Sequence, residues 1–135
     1  MPFAGINYVA VVFAAAASFG FGFFYYMSLG KLWMAAAGRT KADIEGNKSP
    51  LPFIIAAVAQ LVIAFMLAGA MGHLGEYSVR NGVVSGLFLW VGFVITTMAV
   101  NHAFQGAKPM LTLIDGGHWL GVLLLQGLML GWIGV

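Results

Sequence analysis

The chain has 135 residues, 61% hydrophobic and 7% charged, with a formal net charge of +2 and no cysteine. A soluble domain carries roughly a quarter of its residues as charges, so this composition excludes water as the main solvent of the fold. Six basic residues along the whole chain make no phosphate-tracking stripe, which sets nucleic acid aside as a partner. The lack of cysteine excludes disulfides, thiolate chemistry and cysteine-ligated metals.

Each membrane crossing needs about 20 apolar helical residues, and the sequence holds four such stretches. The expected fold is all-α: one transmembrane four-helix bundle over residues 1–135, with spans near 4–27, 52–72, 82–104 and 110–133 and loops 28–51 and 105–109 at one end. No basic residue precedes the first apolar run, so it reads as a retained helix rather than a cleaved leader. Tyr25 and Tyr26 mark its headgroup boundary. Ser28, Leu29 and Gly30 are expected to loosen the chain, and Lys31–Ala37 to form a separate interfacial helix around Trp33 that stops at Gly38. Thr40 and Asp43 have capping-box spacing for a short helical turn ended by Gly46 and Asn47.

Ser49, with Pro50 or Pro52 in the first turn, opens the second span, which is predicted to end near Gly72. His73 to Asn81, carrying Glu76 and Arg80, reads as a solvated link. The third span follows from Gly82 to Phe104, then a turn over Gln105–Pro109, then the fourth span from Met110 to Ile133 with Trp132 at the far interface. Lys31, Arg39, Lys41, Lys48 and Lys108 fall at one end and Arg80 at the other. The positive-inside rule therefore puts loops one and three in the cytoplasm and both termini on the outer side of an inner membrane.

Helices in lipid associate by close backbone approach and interhelical hydrogen bonds. Small residues four apart mark the expected packing seams: Ala14, Ser18 and Gly22; Ala64, Ala68 and Gly72; Gly82 and Gly86; Gly117 and Gly121; Gly127 and Gly131. Most are expected to close the bundle on itself and some to face a partner, which points to a homo-oligomer or a place among other membrane subunits. Gln60 and Gln126 are lone amides expected to bond a neighbouring helix, His102 is expected at the interface, and the methionines and phenylalanines serve packing and lipid contact.

Ionisable groups at membrane depth cost about 2.5 to 3.5 kcal/mol on insertion scales. Asp115 is the main candidate, with His118 and Thr112 on the same face of the fourth span. If the last two spans form an antiparallel hairpin, Thr97 lies opposite Gly117 and Asn101 opposite Leu113. The stripe Thr97–Asn101–Gln105, continued inward by Phe93 and Trp90, then meets Asp115 and His118. Two readings stay open: a proton-handling or ligand site, and a clasp in which Asn101 or Thr97 bonds Asp115 and staples the hairpin.

Tyr25-Tyr26-Met27-Ser28, Gly30-Lys31-Leu32-Trp33-Met34, Trp90-Val91-Gly92-Phe93, Asn101 with Phe104, and Ile114-Asp115 with Trp119 together resemble the domain of unknown function 1761 family over nearly the whole chain. The resemblance implies a small bacterial four-span membrane protein and brings no established activity with it. This chain has Leu29 and Thr96 where the family pattern often has proline, and His118 where it often has an aromatic residue, which argues against His118 as the centre of a shared chemistry.

The expected function is thus a non-enzymatic bundle that works by assembly, with no cofactor. A small oligomeric transporter or channel using Asp115, His118, Asn101 and Thr97 is the first alternative. Quinone, haem or pigment binding at His118 beside Trp119 is the second. No nucleophile–base–orienter set, phosphate loop or metal-ligand spacing appears in the sequence.

Overall fold

The computed structural model describes residues 4–134, and every regular element within them is helical. Four rods are long and apolar enough to cross a membrane, as in a multi-pass membrane protein. They are α1 (Tyr8–Ala37), α3 (Leu51–Leu74), a third span made of α4 (Val79–Leu89), a π turn (Trp90–Val94) and α5 (Ile95–Phe104), and α6 (Pro109–Ile133); the short helix α2 (Lys41–Gly46) lies in the first loop. In the bundle α6 lies between α1 and α4, and α3 leans on α1.

The helix ends follow from local chemistry. Asn7 caps α1 by accepting the Ala10 N–H at 3.1 Å, and its own amide reaches the Ile133 carbonyl at 3.3 Å, so the start of the first span and the end of the last meet at one end of the bundle. Gly38 stops α1 in the left-handed region at φ 69°, where only glycine is free of a Cβ penalty. Around α2 the capping box forms: Thr40 Oγ1 accepts the Asp43 N–H at 3.1 Å and Asp43 Oδ2 accepts the Thr40 N–H at 2.9 Å. These bonds, the backbone one foremost, hold the Asp43 carboxyl below the usual carboxylate range. The Ser49 hydroxyl accepts the Leu51 N–H at 3.2 Å, while the N-cap position itself is Pro50. Ser78 caps the third span, which starts at Val79, three residues before the expected Gly82, so the link before it is shorter.

The expected break at Ser28–Gly30 does not occur. Helix α1 continues through it for 30 residues, about 45 Å at about 1.5 Å per residue, against a hydrocarbon thickness of about 30 Å. The predicted interfacial helix around Trp33 is therefore the projecting end of the first span. Its last turns are held rather than free: Ala36 is buried, Lys108 Nζ donates to the Ala35 carbonyl at 3.2 Å, and Trp33 stands edge-on to Tyr26 with centroids 6.4 Å apart.

The small-residue seams close the chain on itself. A Cβ built on Gly82 would lie 1.9 Å from the Gly127 carbonyl oxygen, one on Gly86 2.7 Å from the Leu123 oxygen, and one on Gly131 2.1 Å from the Ser78 oxygen. Backbone therefore touches backbone along α4 and α6. The α1–α6 contact works differently, with glycines receiving rings. A Cβ on Gly22 would meet His118 Nε2 at 2.6 Å, on Gly117 the Tyr25 hydroxyl at 2.7 Å, and on Gly121 the Phe21 ring at 2.3 Å. Ala14, Ser18, Ala64 and Ala68 are buried where α3 meets α1, whereas Gly72 is half-buried and serves mainly to accept the capping Gly75 N–H.

In the middle of the bundle Ser18, Gln60 and Gln126, from three different spans, form a buried polar knot. Ser18 Oγ donates to Gln60 Oε1 at 2.5 Å, and Gln126 Nε2 donates to Ser18 Oγ at 2.9 Å and to the Gln60 carbonyl at 3.1 Å. Both glutamines thus bond neighbouring helices, as their isolation in apolar spans implied. Gln126 Oε1 is buried without a partner among the described residues.

Candidate functional site

Two polar regions lie toward the end that carries the first and third loops, on opposite sides of α6. The first faces α1. Asp115, on the second turn of α6, accepts the Tyr26 hydroxyl at 2.6 Å, and Tyr25 donates to the Ile114 carbonyl at 2.7 Å. One turn further on, His118 is 6% exposed and enclosed by four rings: Trp119 at 4.7 Å, Tyr26 at 5.0 Å, Tyr25 at 5.7 Å and Phe21 at 6.2 Å between centroids. Its Nε2 lies over Gly22, and its Nδ1 is buried without a partner among the described residues. Among the described residues no three histidine, aspartate or glutamate side chains gather at metal-binding distances.

The second region is a groove of about 520 Å³ between the second and third spans. Ala59 and Ile63 form one wall, and Phe93, Thr97, Asn101 and Gln105 are among the residues of the other. Trp119 also lines it, so this side chain separates the groove from the His118 cage. The groove exists because the second and third spans part: Leu51, Phe53, Ile54, Ile55 and Val58 of α3 are exposed, and α5 has no buried residue.

The five polar residues expected to share one site divide between these regions. Asp115 and His118 belong to the α1 side, Thr97 and Asn101 to the groove, and Thr112 bonds His102 with 2.8 Å between Oγ1 and Nδ1. The expected Asn101 or Thr97 clasp on Asp115 is replaced by Tyr26 from the first span. The cause is the π turn. An unbroken helix with Gly82 and Gly86 against α6 would bring Phe93 and Thr97 round to the same face. A π turn holds one residue more than the α turn it replaces and rotates all that follows by about 100°. Ile95 and Met98 then face Gly116, and His102 faces Thr112.

Local hydrogen bonds hold that turn. Thr96 donates to the Gly92 carbonyl at 3.0 Å, and Thr97 has the Phe93 and Val94 carbonyls at 2.6 and 3.1 Å, so both hydroxyls serve the backbone where its ladder loosens. The Trp90 indole donates to the Gly116 carbonyl at 2.8 Å and ties the start of the turn to α6. Sequence reading missed Tyr26, Tyr25 and Phe21 as partners of the fourth span. The available signal was Gly117 and Gly121 one turn apart, which leave room for rings, with an aromatic run at the matching depth of the first span.

The family model described as "Protein of unknown function (DUF1761)" matches residues 9–131, and the chain belongs to that family. No curated protein and no solved structure matches it.

Proposed function

We propose that this member of the family of unknown function 1761 is a non-enzymatic membrane bundle that acts by assembly in the bilayer, as a homo-oligomer or as an accessory subunit of a membrane complex. One observation carries the reading: the third span is left bare by its own chain. Only 11% of its apolar window is buried, against 44% for the fourth span, and the bare part includes Thr97 and Asn101. The Thr97 hydroxyl is met by its own backbone, but lipid tails offer the Asn101 carboxamide no hydrogen bond, whereas a neighbouring helix does. The small-residue seams support assembly less than the sequence suggested, because most of them are used inside the bundle.

Asp115 and His118 are engaged in packing α6 against α1, which favours a structural over a catalytic role and speaks against a transport path shared with Thr97 and Asn101. The five basic residues at the loop end support a bacterial inner-membrane orientation with loops one and three in the cytoplasm. Native mass spectrometry from lipid nanodiscs tests the assembly reading. A defined multimer or a stoichiometric partner is expected, and a monomer without any copurifying protein contradicts it.

A further inference from the structure

The groove face of the third span has a composition that specifies its partner, and the following rests on the assembly reading above. Phe93, Thr97, Asn101 and Gln105 present an aromatic ring, a hydroxyl and two carboxamides, with no formal charge among them. Thr97 already bonds its own backbone. Asn101 and Gln105 are exposed, and among the described residues their side chains make no hydrogen bond within the chain. On the adjoining flank Gly92, Ala99 and Ala103 are exposed, and a Cβ on Gly92 would meet nothing within 4 Å, so another backbone has room to approach.

We infer that this face is a homotypic contact, on which a second copy of the chain docks with its own third span about a two-fold axis along the membrane normal. Copies inserted in the same orientation place identical residues at identical depth, and a two-fold contact brings each residue near the axis against its own equivalent. Such a contact rejects charges, which would repel themselves. It accepts carboxamides, because an amide is both donor and acceptor and so complements itself. Asn101 meets Asn101 of the second copy, with Thr97 one turn deeper and Gln105 one turn nearer the surface.

Because the chain has no cysteine, single cysteines report this contact cleanly. Oxidation in native membranes of Asn101→Cys and Thr97→Cys is expected to give a crosslinked dimer, and Phe24→Cys, exposed on the first span, none. In nanodiscs Asn101→Leu is expected to weaken the dimer roughly three- to thirty-fold, the range for an interhelical hydrogen bond in a bilayer. Asn101→Gln restores it, and the thermal transition of the monomer stays unchanged.

A multimer that crosslinks only at other faces overturns this arrangement and leaves the assembly reading standing. A stoichiometric complex with a different protein does the same. A monomer that retains phospholipid in the native mass spectrum, with no crosslink at Thr97→Cys or Asn101→Cys, overturns both.

Discussion

The half of the bundle near the termini and the half near the first and third loops are built by opposite rules. Near the termini α4 and α6 touch through glycine backbones, and Tyr77 ties the link to the Ala68 carbonyl at 2.9 Å. Near the loops α3 and α5 part around a groove, while α6 stays in contact with α1 and, through Ile95, Met98 and His102, with α5. In a bilayer no hydrophobic drive separates packed from unpacked helices, so the difference comes from side-chain size and hydrogen bonding. Where glycine faces glycine the backbones lock. Where the π turn rotates Thr97 and Asn101 outward, the helix keeps a polar face for something else.

The comparison breaks most sharply at its tightest point. Gly127→Val should lower bundle stability by about 1–3 kcal/mol, because its Cβ would sit 2.1 Å from the Gly82 carbonyl and backbone cannot swing aside. Reversible unfolding in bicelles measures this, and an unchanged midpoint would mean that the seam is not closed. Gln126→Leu is the next largest. It removes two interhelical hydrogen bonds at about 0.6 kcal/mol each, partly offset by removing the unpaired Oε1, so a loss of about 1 kcal/mol or less is expected in the same assay. A gain in stability would show that the knot does not hold the spans. Tyr26→Phe deletes the hydroxyl on Asp115 and should cost about 0.6 kcal/mol, with Tyr25→Phe as the matched comparison through its separate bond to Ile114.

The smallest effect lies outside the membrane. Asp43 has a lowered carboxyl pKa from its Thr40 bonds, so its capping contribution is present above the ordinary value of about 3.9. That contribution fades as pH falls through the lowered folded value. Acid should therefore fray α2 alone, leaving the spans intact, and an Asp43 carboxyl resonance followed by NMR should titrate below about 3.9. A midpoint at or above that value would remove the capping box from solution.

Features set by a few neighbouring residues were legible in the sequence. The four apolar runs, the Gly38 stop, the Thr40–Asp43 box and the glycine pairs each depend on local spacing, and the structure contains them. The mid-bundle glutamines were legible because a carboxamide in lipid needs a partner, although which spans would supply it was not. The length of α1 was hidden because Ser28 and Gly30 read as a break although, with no proline, the helical ladder can pass through them, and a contact that holds its last turn comes from Lys108, far along the chain. The π turn was hidden because it breaks periodicity, the very signal a helix is read from. Pairing by depth thus holds both near the loop, where His102 meets Thr112, and deeper, where Met98 meets Gly116; what the sequence hid is the face, since Met98 rather than Thr97 is turned to the fourth span.

That one-residue change of phase is the centre of the account, since it carries the polar stripe from inside the hairpin to the outer face. Intramolecular disulfide mapping between the last two spans tests it most directly. The pair Met98→Cys with Gly116→Cys is expected to crosslink more readily in membranes than Thr97→Cys with Gly117→Cys, because the Met98 side chain reaches toward Gly116, its Sδ 3.9 Å from a Cβ built there, while Thr97 is turned to the groove. Efficient crosslinking of the second pair and not the first would mean that the third span is an unbroken α-helix with its polar stripe turned toward the fourth, and the outward face would not exist.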